Sequence, residues 1–538
     1  MLVLATAVPA AISVENRATY TIDAGHPLTR RTKLPAAIPG VESFQDNGIN
    51  LRNPSRPLTS MLGDWIETQK ITIPNGAKKL PRYDVTIDGD TAFIGAPFDD
   101  GSNGSVYVYT RTGATWTQQQ KLTPSDPGVN DLFGIRIALQ GDTALIGAAD
   151  EISQDGPGAV YVFARTGTIW AEQQILTPLD GNPSDGFYCP TLDGDTAIVS
   201  ACYDDDMGAD AGALYVFTHT DSTWTQQAKL YAADAAAGEL FGWEVSLDGD
   251  TALSSTYDWW NDTVTPGAAY IFTRTGTTWT QQAKLVGSDT VPGDTFGIAV
   301  ALDGDTALVG APNDKDQGTY SGSAFVFTRT GTTWTQQAKL LHSNGNAYDW
   351  LGCSVSLEGD TALIGAANEE EGSVDTQGAA YVFTRTGTTW TEQQRLISSD
   401  GQRYDYFGWP VCLDGDTAFI GACVAIYAQG PNSGSIYVFT KTDLTFSITG
   451  GLGVKAVITN EGTSDADGIP WQIHVEGGIF TMMNKTKNGT IDIPAGESKT
   501  VSTGMLLGLG SISIIARVAG IGKTATGTQL IIFSMVKK

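Results

Sequence analysis

The side chains of this chain best suited to chemistry are carboxylates in short runs and aromatic rings set among them. Asp204, Asp205 and Asp206 form one run, and Asp314 and Asp316 another. Hard cations such as Ca²⁺ take oxygen donors of this kind, about six to eight at a time. The aromatic set is Tyr257, Trp259 and Trp260, then Tyr348 and Trp350, then Tyr404 and Tyr406. A ring face stacks on the C–H face of a sugar, while nearby carboxylates accept its hydroxyls. Both are binding chemistries. The reagents of catalysis are not assembled: His26, His219, His342 and His474 share no ligand spacing, and the chain carries no nucleophile elbow, phosphate loop or zinc motif. With acids this plentiful, a pair at glycosidase-like separation arises by chance. No catalytic residue is named and no enzyme is expected.

The elements that must position these residues come from a repeat. Gly-Asp-Thr occurs in a hydrophobic frame at Gly89, Gly141, Gly194, Gly249, Gly304, Gly359 and Gly415, at intervals of 52 to 56 residues. In the clearest copy, Phe296, Ile298, Val300 and Leu302 alternate with small residues, the period of a strand. Asp303-Gly304 follows, a dipeptide suited to a two-residue type I′ turn. Thr306–Ala311 reads as a buried second strand, Ala324–Thr328 as a third, and Thr333–Leu340 as a fourth. A four-stranded meander cannot bury its faces alone, and seven of them stacked radially make a β-propeller. The Trp-bearing fourth strand recurs at Trp116, Trp170, Trp224, Trp279, Trp334 and Trp390 but is missing after Tyr437; Trp65, in DWIETQKI, precedes the first repeat. The expectation is an all-β fold: a seven-bladed β-propeller closed by an N-terminal strand, followed by an immunoglobulin-like β-sandwich. The regular tryptophans are framework. Trp259-Trp260 departs most from the pattern, because strand alternation cannot bury both rings on one face.

FGIAVALDGDTALVGAP, followed by a polar loop and GSAFVF, resembles FG-GAP repeats, the propeller repeats of integrin α-chain heads and many microbial surface proteins. Phe133-Gly134, Phe241-Gly242, Phe296-Gly297 and Phe407-Gly408 carry the first half of the pattern, and Gly95-Ala96-Pro97 and Gly310-Ala311-Pro312 the second. The resemblance covers about residues 59–442 and implies ligand recognition through loops of one face. Integrin-like copies hold calcium in an Asp-rich loop between the first two strands. Here that connection is a two-residue turn, too short for such a site, which matches the metal-free bacterial and archaeal branch. Calcium is left as a weak expectation at Asp204–Asp206 and Asp314/Asp316, and no other cofactor is expected. GVKAVITNEGTSDADGIPWQIHV resembles the small adhesion-type sandwich modules of archaeal and bacterial surface proteins.

The division expected is 1–13 as a signal-peptide remnant, 14–58 as a linker or processed segment, 59–442 as the propeller and 443–538 as the sandwich. The net charge is -27, and residues 443–538 hold eight Lys/Arg against seven Asp/Glu, so the acidity lies upstream. Acidity of this kind excludes a nucleic-acid partner. The acids cluster in the loops between strands two and three and between blades, which share one face. Arg111, Arg165, Arg274, Arg329, Arg385 and Lys441 fall in turns on the opposite face, giving the expectation of an electrically polar disc. Five cysteines are too few to staple the fold and read as buried thiols, with Cys189 facing about Ile198. No apolar run is long enough to span a membrane. The functional expectation is a secreted or cell-surface adhesion protein, monomeric, binding a surface protein through the acidic loop face. The alternative is a lectin-like propeller binding a glycan through the aromatic set, with a carbohydrate-active enzyme behind both.

Overall fold

The computed structural model describes residues 13–15, 58–72, 84–126, 131–149, 156–257, 266–370, 376–422, 434–449, 455–460, 466–477, 483–494, 496–502, 509–518 and 521–530. They fall into two compact units, residues 65–441 and the flanking segments together. The larger unit is a seven-bladed β-propeller. Blades 1 to 7 are numbered by their turn glycines, from Gly89 to Gly415. Blade 5 shows the plan: Val300–Asp303, Thr306–Ala311, Ser323–Thr330 and Thr333–Leu340, paired antiparallel in that order. First strands neighbour one another around the ring, and that of blade 7 returns to that of blade 1. The second strand is buried along its whole length, as its unbroken apolar run demands, whereas the outer strand buries Trp334 and Leu340 and exposes Thr333 and Thr335. Adjacent blades meet backbone to backbone. A Cβ on Gly310 would lie 2.0 Å from the carbonyl oxygen of Gly352 in the next blade, so the small residues of the repeat set the blade spacing.

The first turn differs from the expected one by a residue. Asp303 pairs with Thr306, so the two central residues are Gly304 and Asp305. Only the glycine lies in the left-handed region, with φ of 55°. A glycine in the first central position belongs to the type II′ hairpin rather than type I′. The same shift places Cys189 opposite Ser200 instead of Ile198. It also frees two carboxylates per blade for separate tasks. The aspartate before the glycine accepts the backbone N–H of the next blade's turn glycine, as Asp248 does from Gly304 at 2.5 Å and Asp303 from Gly359 at 2.5 Å. This contact recurs at every junction, with Gln140 and Glu358 substituting in two, and the ring ends with Gly89 donating to Asp414 at 2.7 Å. The aspartate inside the turn accepts from an arginine of its own blade, as in Arg329 Nε to Asp305 at 2.6 Å, while Nη1 reaches Thr251 of the preceding blade at 2.9 Å.

The outer strands are joined by a second clip. Gln120 Oε1 accepts from the Trp170 N–H at 3.0 Å, and its Nε2 donates to the Trp170 carbonyl at 2.8 Å; Gln174 does the same to Trp224. Strand Leu58–Thr72 pairs with Ser435–Thr449, and Trp65 is buried among Leu396, Leu413 and Phe439. Gln394 of blade 6 clips Trp65 with two contacts of 2.7 Å, and Gln69 clips Trp116 of blade 1 with two of 2.8 Å.

The smaller unit is also all-β. Ala466–Gly477, Met483–Ile493, Leu509–Val518 and Ile521–Leu530 form one antiparallel sheet with Ser13–Glu15 at its edge, and Lys455–Asn460 pairs with Ser498–Ser502. Ala456, Ile458, Ile473, Val475, Ile493 and Val501 are buried.

Candidate functional site

In this topology the loops after the second and fourth strands share one face, called here the loop face, and the tight turns share the other. Seven large apolar side chains are well exposed among the described residues: Ile169, Leu179, Met207, Val286, Val291, Tyr320 and Tyr348. All but Ile169 belong to the loop face. Leu179 is 83% exposed and Tyr348 53%.

The aromatics of blades 5 to 7 stand out by their side chains, at backbone positions that recur in the other blades. Tyr320, Tyr348, Trp350, Tyr404 and Tyr406 all have positive φ, from 52° to 73°. The equivalent positions elsewhere hold residues that carry little or no ring there. Where Tyr348 and Tyr404 stand, blades 3, 4 and 5 have Ser184, Gly238 and Gly293; where Trp350 and Tyr406 stand, blades 2 to 5 have Leu132, Gly186, Leu240 and Thr295, also at positive φ. A non-glycine residue in this region costs about 1–2 kcal/mol. Strain of this kind collects where a side chain is needed in a particular place. Tyr320 and Tyr348 meet edge to face at 5.7 Å, and Trp350 lies near-parallel to Tyr406 at 6.4 Å. Backbone contacts tie the two pairs, with the Trp350 N–H donating to the Tyr320 carbonyl at 3.1 Å. Arg403 covers Tyr404, and Lys315 approaches Tyr320.

These loops stand on buried acids. Asp185, Asp294, Asp349 and Asp405 each accept the N–H three residues earlier at 2.6–2.8 Å. Burial pushes Asp349 up to about 7, opposed by the Asn346 N–H and reinforced by Glu369. His342 occupies a site held by Pro178, Ala232, Gly287 and Ser398 in other blades. Its Nε2 lies 3.5 Å from Asp349 and its Nδ1 3.9 Å from Glu369. Burial, with Arg395 nearby, pulls it down to about 4, so at neutral pH an uncharged imidazole faces a carboxyl whose ionisation burial disfavours.

The acids singled out as cation ligands already hold a cation of the chain's own. Lys229 Nζ lies 2.7 Å from Asp204 and Asp206 and 3.3 Å from Asp180. Lys339 Nζ lies 2.7 Å from Asp314 and Asp316 and 2.9 Å from Asp289. Burial alone would lower the Lys229 pKa, but the bonds to Asp204 and Asp206 outweigh it and raise it. Asp205 caps the Asp210 N–H at 2.8 Å. Lys121, Lys284, Lys70 and Arg395 play the lysine's part in blades 1, 4, 7 and 6, while blade 2 has Ile175 there.

A cluster that the sequence reading passed over lies on the first strands. Five residues before the turn glycine stand Asp84, Arg136, Cys189 and Glu244 in blades 1 to 4, and Ala299, Ser354 and Pro410 in blades 5 to 7. Asp84 and Ser354 accept the N–H of Ile137 and Val411 in the next blade, at 2.8 and 3.0 Å. Arg136 faces Pro190, which has no N–H to offer, and instead reaches Glu244 two blades on at 2.7 Å. Burial raises Asp84 to about 6, opposed by Arg136. The legible signal was departure from the repeat at a fixed position.

The comparison with known families follows the same units. The FG-GAP repeat model matches residues 65–109, 116–163, 170–217, 224–272, 279–327, 334–383 and 390–439, together well over half of the chain. The chain belongs to the FG-GAP repeat family. Each match begins at the Trp-bearing strand and ends within the third strand of the following blade. No curated protein matches the sequence. A solved structure entitled "Structure of YjhT" aligns over 59% of this chain and 99% of its own at 15% identity, with a TM-score of 0.35.

Within this FG-GAP propeller the aromatic set is divided. Tyr348, Trp350, Tyr404 and Tyr406 come together, and Tyr320, which the sequence reading missed, joins them. Tyr257 does not: it is buried against Trp243, with ring centroids 4.4 Å apart. Trp259 and Trp260 lie outside the described residues. The electrically polar disc is also corrected. Arg111, Arg165, Arg274, Arg329 and Arg385 are paired with Asp90, Asp142, Asp250, Asp305 and Asp360, because the Gly-Asp turns share their face. Both faces are acidic.

Proposed function

We propose that this FG-GAP propeller is a secreted or cell-surface recognition protein that binds a macromolecular partner through its loop face and catalyses no reaction. The observation carrying this reading is the placement of six of the seven exposed large apolar side chains on that face. A monomeric ring whose framework contacts recur in every blade leaves its loops free to diverge, and loops on a rigid scaffold are where binding residues collect. The N-terminal strand completes blade 7 and closes the ring, and the smaller unit is an immunoglobulin-like spacer. Among the described residues no helix is long and apolar enough to cross a membrane. The lysines in the acidic loops stand where a metal would otherwise be needed, in keeping with the metal-free bacterial and archaeal branch. Lectin-like recognition is the second reading, favoured by the five aromatics at positive φ.

The test compares Leu179→Ser with Val291→Ser on the loop face against Ile169→Ser on the turn face, using the purified chain on immobilised surface extracts. Loss confined to the loop-face variants supports the reading; equal binding by all three sinks it.

A further inference from the structure

We infer that the strip of Tyr320, Tyr348, Trp350, Tyr404 and Tyr406 is a binding site for a neutral oligosaccharide. This rests on the recognition reading and names its partner. Seven described non-glycine residues of blades 5 to 7 have positive φ, and five are aromatic; of the eight in blades 1 to 4, none is. Blades 6 and 7 therefore set rings at left-handed positions that the same fold elsewhere fills with Gly, Ser, Leu or Thr. Tyr348 is 53% exposed and Tyr320 37%, so packing does not account for these two rings, while Trp350, Tyr404 and Tyr406 are half-buried.

The chemistry around the rings selects the ligand. Pyranose rings present a flat C–H face to an aromatic plane and an equatorial belt of hydroxyls to planar polar groups. Asn346 and Asn368 supply carboxamides beside Tyr348, where Asn368 Nδ2 donates to the Tyr348 carbonyl at 2.5 Å. Charge removes the anionic sugars. Residues 65–441 hold 18 Lys/Arg against 47 Asp/Glu. Of the described bases on this face, Lys121, Lys229, Lys284, Lys339, Lys70 and Arg395 are paired with carboxylates, and Lys315 and Arg403 lie over tyrosine rings. A uronate or sulfate would meet the repulsion of this acidic surface.

The repeat itself supplies the test variants. Tyr348→Gly installs the residue of blades 4 and 5, and Trp350→Leu that of blades 2 and 4; both replacements suit the local backbone. The full chain and each variant are run by affinity electrophoresis through gels containing soluble β-glucan, mannan, galactan or, as the anionic arm, polygalacturonate, with thermal melts in parallel. The expected result is retardation by at least one neutral polymer, at least tenfold weaker in both variants, with melting temperatures equal to or above that of the parent. Loss of binding together with a fall in melting temperature for Tyr348→Gly would mean that the ring is structural, and would overturn the inference. Retardation only by polygalacturonate, or by no polymer, overturns it too. In that event, extract binding that still depends on Leu179 and Val291 points to a protein partner and leaves the recognition reading standing.

Discussion

If strand Leu58–Thr72 is the outer strand of blade 7, removing Trp65 must cost as much as removing a tryptophan from an undisputed blade. Trp65 and Trp116 are each 3% exposed and each clipped by a glutamine of the preceding outer strand. Truncating a buried Trp to Ala costs about 3–5 kcal/mol. Deleting the strand through Lys70 also removes the two contacts from Gln394 and the two from Gln69 to Trp116, at about 1 kcal/mol each. The Lys70–Asp400 pair is half-exposed at Asp400 and adds little. The total is about 7–9 kcal/mol, comparable to the whole stability of an ordinary domain. The assay is guanidinium unfolding followed by tryptophan fluorescence for the parent, Trp65→Ala, Trp116→Ala and the chain begun at residue 71. The two point variants should lose stability within about 1 kcal/mol of each other, and the truncated chain should have no cooperative transition. A Trp65→Ala variant as stable as the parent, beside a crippled Trp116→Ala, would refute the closure.

Three further outcomes follow from the charges. Chelation should leave the melting temperature of the parent unchanged, because Lys229 and Lys339 already neutralise the loop carboxylates; a fall on adding EDTA would show that a metal is bound. Lys229→Ala should lose about 3–5 kcal/mol by leaving buried Asp204 unpaired, and calcium should recover part of that loss in a thermal melt. Asp84, raised by burial to about 6 from 3.8, favours the folded state fully only below its unfolded pKa, and that stability is lost as pH rises through 6. Asp84→Asn, whose amide oxygen can still accept from Ile137, should therefore be close to the parent at pH 4 and exceed it by about 3 kcal/mol at pH 7.5, a difference readable from denaturant midpoints.

The ring was legible because its determinants are local and repeated seven times: the Gly-Asp-Thr turn, the unbroken apolar second strand and the spaced tryptophans. The turn was misread by one residue because Asp303-Gly304 fits a type I′ turn by composition, and only the Asp303–Thr306 pairing distinguishes it from Gly304-Asp305. The acids were visible, but not their lysines. Lys229 is 25 residues beyond Asp204, across a hairpin whose register decides that the two meet. Tyr348 and Trp350 were found by departure from the repeat, whereas Tyr320 sits in a loop variable enough to hide it. His342 looked isolated because Asp349 and Glu369 reach it from separate loops.

The contact between each turn glycine and the carboxylate before it has a consequence for how such rings are counted. Every junction uses the same handshake, donor on one blade and acceptor on its neighbour, and the one that joins blade 7 to blade 1 spans 325 positions of sequence. Nothing in the handshake records which blade it joins. During synthesis the glycine of blade 1 faces five successive acceptors on other blades, of nearly the same chemistry, before Asp414 emerges, and each intermediate arc carries two mateable ends. Fidelity then lies in curvature, since only a seven-blade arc brings its ends into reach. Gene duplication or loss of one repeat would keep every handshake chemically valid and yet leave the two ends of the arc out of register.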